Sequence, residues 1–152
     1  MGAVVERLAS MGISVPEVAA PVASYVPALR SGNHVYTSGQ LPFVDGVLPG
    51  TGKVGAEVSP EDAQEYARLC ALNVIAAIAS VVDLDSVVRV VKLTVFVASA
   101  PDFTGQPAVA NGASDLMAAA FGAAGSHARS AVGVAVLPLD TPVEIDAVVE
   151  VA

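Results

Sequence analysis

Tryptophan is absent, cysteine occurs once, and only 14% of the 152 residues are charged. With Cys70 alone, a disulfide within the chain is excluded, and the expectation is a reducing, cytoplasmic setting. Basic residues are scarce: seven Lys and Arg against fifteen Asp and Glu give a net charge of −8 and a pI near 4.4. The basic residues stand singly, so no phosphate-tracking surface and no nucleic-acid partner is expected. Long apolar runs are missing too. The longest uncharged stretches, Ser31 to Val44 and Leu69 to Val82, fall short of the ~18 residues a membrane span requires, so no membrane association is expected. The opening Met1-Gly2-Ala3-Val4-Val5-Glu6 has neither the basic start of a secretory signal nor the Ser or Thr that myristoylation wants at position 6. His34 and His127 are the only histidines and have no Cys, Asp or Glu cluster at ligand spacing, so no metal is expected.

Apolar residues make up 54% of the chain, and a typical soluble domain carries about 25% charged residues. Fourteen per cent is too little to cover a monomer, and the surplus apolar surface points to contacts between subunits. The clearest element is a helix from Ser59-Pro60-Glu61-Asp62 to about Val82: a capping serine, a proline suited to the first turn, and acids at the positive helix end. Tyr66, Ala67, Cys70, Val74, Ala77, Ile78 and Val81 repeat at helical spacing, which buries this helix and makes Cys70 a small core hydrophobe. A second helix is predicted between Val109 and Phe121. Strands are predicted over His34 to Gln40, Val87 to Val97, Ser130 to Val136 and Val143 to Val151, all rich in β-branched residues. Leu137 to Pro142 then reads as the turn of a terminal hairpin. This order of elements gives an α+β domain with helices on one face of a mixed sheet.

Gly50-Thr51-Gly52-Lys53-Val54-Gly55 fits the GxGxxG pattern, but no helix opens directly after it, so it reads as a loop and not as a dinucleotide site. Ser38 follows a strand without the G-x-S-x-G elbow of a hydrolase. Arg129 is more informative. It is the only permanent charge between Asp115 and Asp140, at the mouth of an apolar strand, and an arginine held partly out of water needs an anion. Two readings stand side by side. In one, the terminal hairpin sets Arg129 opposite about Glu150 as a structural pair, with Glu144 opposite about Ala135 near the turn. In the other, Arg129 is an open anion site, because guanidinium meets a carboxylate with two parallel hydrogen bonds.

The segments Tyr36-Thr37-Ser38-Gly39-Gln40-Leu41-Pro42, His127-Ala128-Arg129-Ser130, Leu137-Pro138 and Val143-Glu144-Ile145-Asp146 resemble the RidA (YjgF) family of small trimeric proteins, also described as endoribonuclease L-PSP-like. The likeness extends from Pro21 almost to the carboxyl end. It implies a chorismate-mutase-like α+β fold, two helices on one face of a mixed sheet, and a homotrimer whose sheets form a central barrel. It also implies sites in clefts between subunits that hydrolyse reactive enamine or imine intermediates to 2-oxo acids and ammonia, with no metal and no organic cofactor.

Carried over by resemblance, Arg129 grips the substrate carboxylate, Glu144 handles the water, and Tyr25, Ser38 and Gly39 line the pocket. Ala131 stands where the family often has cysteine, which preserves a backbone N–H for the carboxylate and removes thiol chemistry. Pro27-Ala28, Arg68-Leu69-Cys70-Ala71-Leu72-Asn73 and Ser130-Ala131-Val132-Gly133-Val134 are similar to a longer branch. Residues 1–152 read as one domain, of which about 1–20 is an amino-terminal extension. Two rival functions follow from the same resemblance: a non-catalytic trimer that binds small carboxylate metabolites, and an endoribonuclease, against which the acidic charge argues. The hairpin register separates Arg129 from Glu144 along the sheet, so a shared site requires two subunits.

Overall fold

Eight residues are too few to hold a helix unaided, yet Ala3–Ser10 forms one, α1, because Val4 and Leu8 lie one turn apart and both bury. The computed structural model describes residues 2–21 and 23–152. Within it, Asp85 accepts the Val4 N–H at 3.2 Å, and Arg7 donates to the Ala120 carbonyl at 3.3 Å. These contacts fasten α1 to the rest of the fold. Ala28–Ser31 (β1) and His34–Thr37 (β2) form a hairpin across Gly32 and Asn33, where Gly32 takes a φ of +59°. Neither α1 nor β1 is visible as a pattern in the sequence.

The capped helix α2 spans Pro60–Ala79, and the Ser59 hydroxyl accepts the Asp62 N–H at 3.1 Å as predicted. It stops three residues before Val82, which leaves Val81 exposed and outside the buried stripe. Ala63, Ala67, Ala71 and Ala77 are fully buried on it, so its backbone packs closely against its neighbours. Val87–Ala98 forms β3, Gln106–Phe121 forms α3, Ala128–Val134 forms β4 and Val143–Val151 forms β5. Helix α3 begins three residues earlier than Val109, with Pro107 in its first turn. At Gly112 it approaches α2 so closely that a Cβ there would overlap the Gln64 carbonyl.

The sheet order is β1-β2-β5-β3-β4, antiparallel except for the parallel pair β3 and β4. With α2 and α3 on one face, this is the α+β mixed sheet that was expected. The terminal hairpin does not exist. Strands β4 and β5 both pair with β3 and lie on either side of it, so the eight residues 135–142 step across the end of a strand instead of turning back. A hairpin needs only about 2–5 residues. The crossing is pinned where Ser99 donates to Val134 and Ala98 donates to Pro142, and Leu139 and Asp140 take positive φ inside it. Gly50 to Gly55 is a loop, tied to this crossing by the Gly52 N–H on the Asp140 carbonyl. No helix among the described residues is long and apolar enough to cross a membrane.

Candidate functional site

After Tyr36, β2 falls out of step with β5. Tyr36 pairs with Val148, but the next backbone pairing is Gln40 with Ile145, at 2.8 and 3.0 Å. Three residues therefore oppose two, a bulge of the kind that re-aims side chains beside functional sites. Thr37 fills the gap with its hydroxyl, which accepts the Ala147 N–H at 3.0 Å. Ser38 is held by its N–H on the Pro27 carbonyl at 2.8 Å and its hydroxyl on the Val26 carbonyl at 2.6 Å. Gly39 is pressed against the Glu144 carboxylate, where any Cβ would overlap it. A cleft of about 550 Å³ opens here, bounded by Tyr25, Ser38, Gly39, Phe43 and Glu144, with Ala19 to Pro21 as one wall. Its floor is secured from below: buried Asn73 on α2 donates to the Leu41 and Phe43 carbonyls at 2.8 and 3.0 Å.

Burial pushes the Glu144 carboxyl above its ordinary range, and the Asp146 carboxylate two residues along adds to the push. Asp146, also on the cleft, is raised by its own burial against the opposing pull of Lys92 and a hydrogen bond with Thr94. A carboxylate held away from water in this way is a stronger base than a solvated one.

Arg129 lies elsewhere. Its Nη1 donates to Asn111 Oδ1 at 2.8 Å and Ser114 Oγ at 3.0 Å, and Nη2 donates to the Pro107 carbonyl at 3.3 Å. Pro107, Asn111 and Ser114 recur at helical spacing, so one face of α3 presents all three acceptors. All are neutral. The one ion pair among the described residues is Arg68 with Glu65, and Glu150 pairs with His34 and Arg89 across its neighbouring strands. The structural pairing of Arg129 with Glu150 is thus not made, because it rested on the absent hairpin. Three hydrogen bonds leave two of the guanidinium's five donors over, enough for a carboxylate.

The two halves are separate within one chain. Arg129 is level with Leu93 on β3, and Glu144 is level with Phe96. Leu93 and Phe96 are three positions apart, so their side chains leave opposite faces of the sheet. Tyr25, Ser38, Gly39 and Glu144 share the cleft, whereas Arg129 and Ala131 lie two strands away on the helix-covered side. Cys70 is fully buried against the Val143 carbonyl, and burial drives its thiol well upward. No group of three or more His, Cys, Asp or Glu able to hold a metal occurs among the described residues. Asn111 and Ser114 carry no signal in the sequence, since each acts through Arg129, 18 and 15 residues along the chain; Asp146 stands in a segment that carries the resemblance, with no role read for it.

Residues 16–151 match the family described as Endoribonuclease L-PSP. Protein TCP17 of Trypanosoma cruzi is 50% identical over 151 residues, covering 98% of this chain and 94% of that protein. The 2-iminobutanoate/2-iminopropanoate deaminase of Escherichia coli K12 is 34% identical over 139 residues, covering 91% and 96%. Among solved structures, Atu1372 from Agrobacterium tumefaciens superposes with a TM-score of 0.90 at 45% identity, covering 99% of this chain and 93% of that one. TdcF of E. coli with bound serine superposes at 0.67 and 27% identity, covering 90% and 94%.

Proposed function

Because the chain belongs to the endoribonuclease L-PSP family, the RidA/YjgF proteins, we propose that it hydrolyses small carboxylate-bearing imines, and the enamines in equilibrium with them, to 2-oxo acids and ammonia. The observation that carries this reading is Arg129, a guanidinium supported only by neutral oxygens with donors to spare. It anchors the substrate carboxylate. Glu144, raised by burial, takes a proton from water as the oxygen attacks the imine carbon and passes it to the imine nitrogen, giving a carbinolamine; it then takes the hydroxyl proton as the C=O bond forms and delivers it to the nitrogen as the C–N bond breaks. One water enters and one ammonia leaves, so the chemistry balances without metal or organic cofactor. Tyr25, Ser38 and Gly39 bound the reacting carbon's side, and the Ala131 N–H lies on the Arg129 side. The serine in the E. coli TdcF structure is a small carboxylate of the size this reading requires, and the E. coli relative's name specifies 2-imino acids. A net charge of −8 weighs against RNA as the substrate.

Since Arg129 and Glu144 leave opposite faces of the sheet, the working site joins Glu144 of one copy to Arg129 of the next, in a homotrimer. Ammonia release from freshly generated 2-iminopropanoate tests the activity. Arg129→Ala should weaken binding of a 2-oxo acid roughly 10- to 150-fold, the worth of a charged hydrogen-bonded pair. Glu144→Gln should keep binding and slow turnover by about 10²-fold or more. Binding without accelerated ammonia release in the wild type identifies a non-catalytic carboxylate binder instead.

A further inference from the structure

Behind Arg129, one serine and one histidine with a neutral ring leave a single consistent arrangement of hydrogens. The Gly125 carbonyl can only accept, so its 2.6 Å contact with His127 Nδ1 puts a proton on Nδ1. In the neutral ring Nε2 is then an acceptor, and Ser114 Oγ at 2.8 Å must donate to it. With its hydrogen committed to the ring, Ser114 presents only lone pairs to Arg129 Nη1 at 3.0 Å. With the ring neutral, the relay runs from guanidinium to hydroxyl to imidazole to backbone.

A serine hydroxyl on its own rotates, and with its hydrogen toward a guanidinium it opposes the cation instead of holding it. His127 removes that freedom. Asn111 then grips the same Nη1 at 2.8 Å from one turn earlier on α3, so the plane of the guanidinium is defined by two fixed acceptors and its remaining donors keep one direction. We propose that His127 and Ser114 are positioning residues that orient Arg129 toward a substrate carboxylate, His127 acting wholly through the serine. This rests on the reading of Arg129 as the carboxylate anchor. The competing account is a staple that merely ties the residues before β4 onto α3, and it predicts lost stability without lost affinity.

Titration with pyruvate, thermal melts and nitrogen-15 NMR of the imidazole separate these on the full-length protein. Ser114→Ala and His127→Leu should each weaken pyruvate binding roughly 3- to 10-fold, the worth of one ordinary hydrogen bond. His127→Gln, whose amide oxygen can accept from Ser114, should recover most of the affinity lost in His127→Leu. In the wild type, NMR should find the proton on Nδ1, and pyruvate should move the Nε2 resonance. That response needs no variant to fold, and Ser114→Ala should abolish it. Unchanged affinity in Ser114→Ala and His127→Leu, with Arg129→Ala still losing the ligand, would overturn the positioning role alone. A proton on Nε2 would overturn it as well. If Arg129→Ala binds pyruvate like wild type, the anchor reading fails and the positioning role goes with it.

Discussion

At the scale of single residues, the base strength of Glu144 depends on what surrounds its carboxyl. Burial raises it first and Asp146 second, so a rate that needs ionised Glu144 should begin to fall at a pH above the ordinary glutamate range as acid is added. Asp146→Asn removes the like charge, and the acid limb of kcat/KM should move to lower pH. A limb that stays in place would mean that another group controls it. Asp146 is itself raised on folding, and a carboxyl raised in the folded state stabilises below its unfolded value and loses that contribution as pH climbs through the folded one. The same variant should therefore melt higher than wild type at neutral pH and lose that advantage in acid. Gly39 tests the other side of the carboxyl. It has no positive φ to justify it; its reason is space, since a Cβ would overlap Glu144. Gly39→Ala should cut turnover by about 10-fold or more through a displaced base, while the melt changes little because a side-chain end can swing away. Equal losses of rate and stability would instead mark Gly39 as a folding residue.

At the scale of elements, what the sequence made legible was whatever one segment declares by itself. Ser59 and Pro60 announce α2, and the strict alternation of Val143 to Val151 announces β5 with its correct bounds. Pairing is different. Strand β4 reads as β-branched whichever neighbour it takes, and nothing in Leu137 to Pro142 distinguishes a hairpin from a chain stepping over β3, so the register of Arg129 came out wrong. Its separation from Glu144 nevertheless holds, now because the two leave opposite faces. Strand β1 and helix α1 were illegible because four and eight residues carry too little periodicity. The candidate site residues come from resemblance, save Arg129, which its isolated charge already offers as either an anion site or a structural pair: Ser38 and Gly39 look like an ordinary turn until the bulge against β5 is seen. Helix packing offers a stability test. At Gly112 the obstacle to a Cβ is the Gln64 backbone, which cannot rotate aside, so Gly112→Ala should cost about 1–3 kcal/mol as overpacking despite alanine's better helix propensity. Chemical denaturation measures it, and a neutral or stabilising result would mean that α2 and α3 are free to separate.

At the scale of the whole molecule, charge shortage and sheet geometry lead to the same place. The sheet face away from the helices carries apolar residues among its polar ones: Leu29, Tyr36 and Val148 form a row across three strands, with Phe96 and Val132 further along. Leu29, Tyr36 and Val132 are between 42% and 50% exposed in the single chain, and apolar surface of this kind marks an interface. The proposed homotrimer buries this surface and joins one copy's Arg129 to another's Glu144. Mixed assembly tests whether the site spans two chains. On the proposed two-chain site, Arg129→Ala and Glu144→Gln subunits should each be strongly impaired alone, because every site in either trimer would lack the anchor or the base. When the two are co-expressed in equal amounts, a site is intact only where an Arg129→Ala chain supplies Glu144 and a Glu144→Gln chain supplies Arg129. Random assembly makes that about one interface in four under cyclic symmetry, so activity should return to roughly a quarter of wild type. If both residues served one site within a single chain, each chain would still carry its own lesion and mixing would restore nothing. Sizing of the mixed sample must find the trimer in both cases, so a null result at full assembly would remove the two-chain site, while a monomer would remove the interface itself.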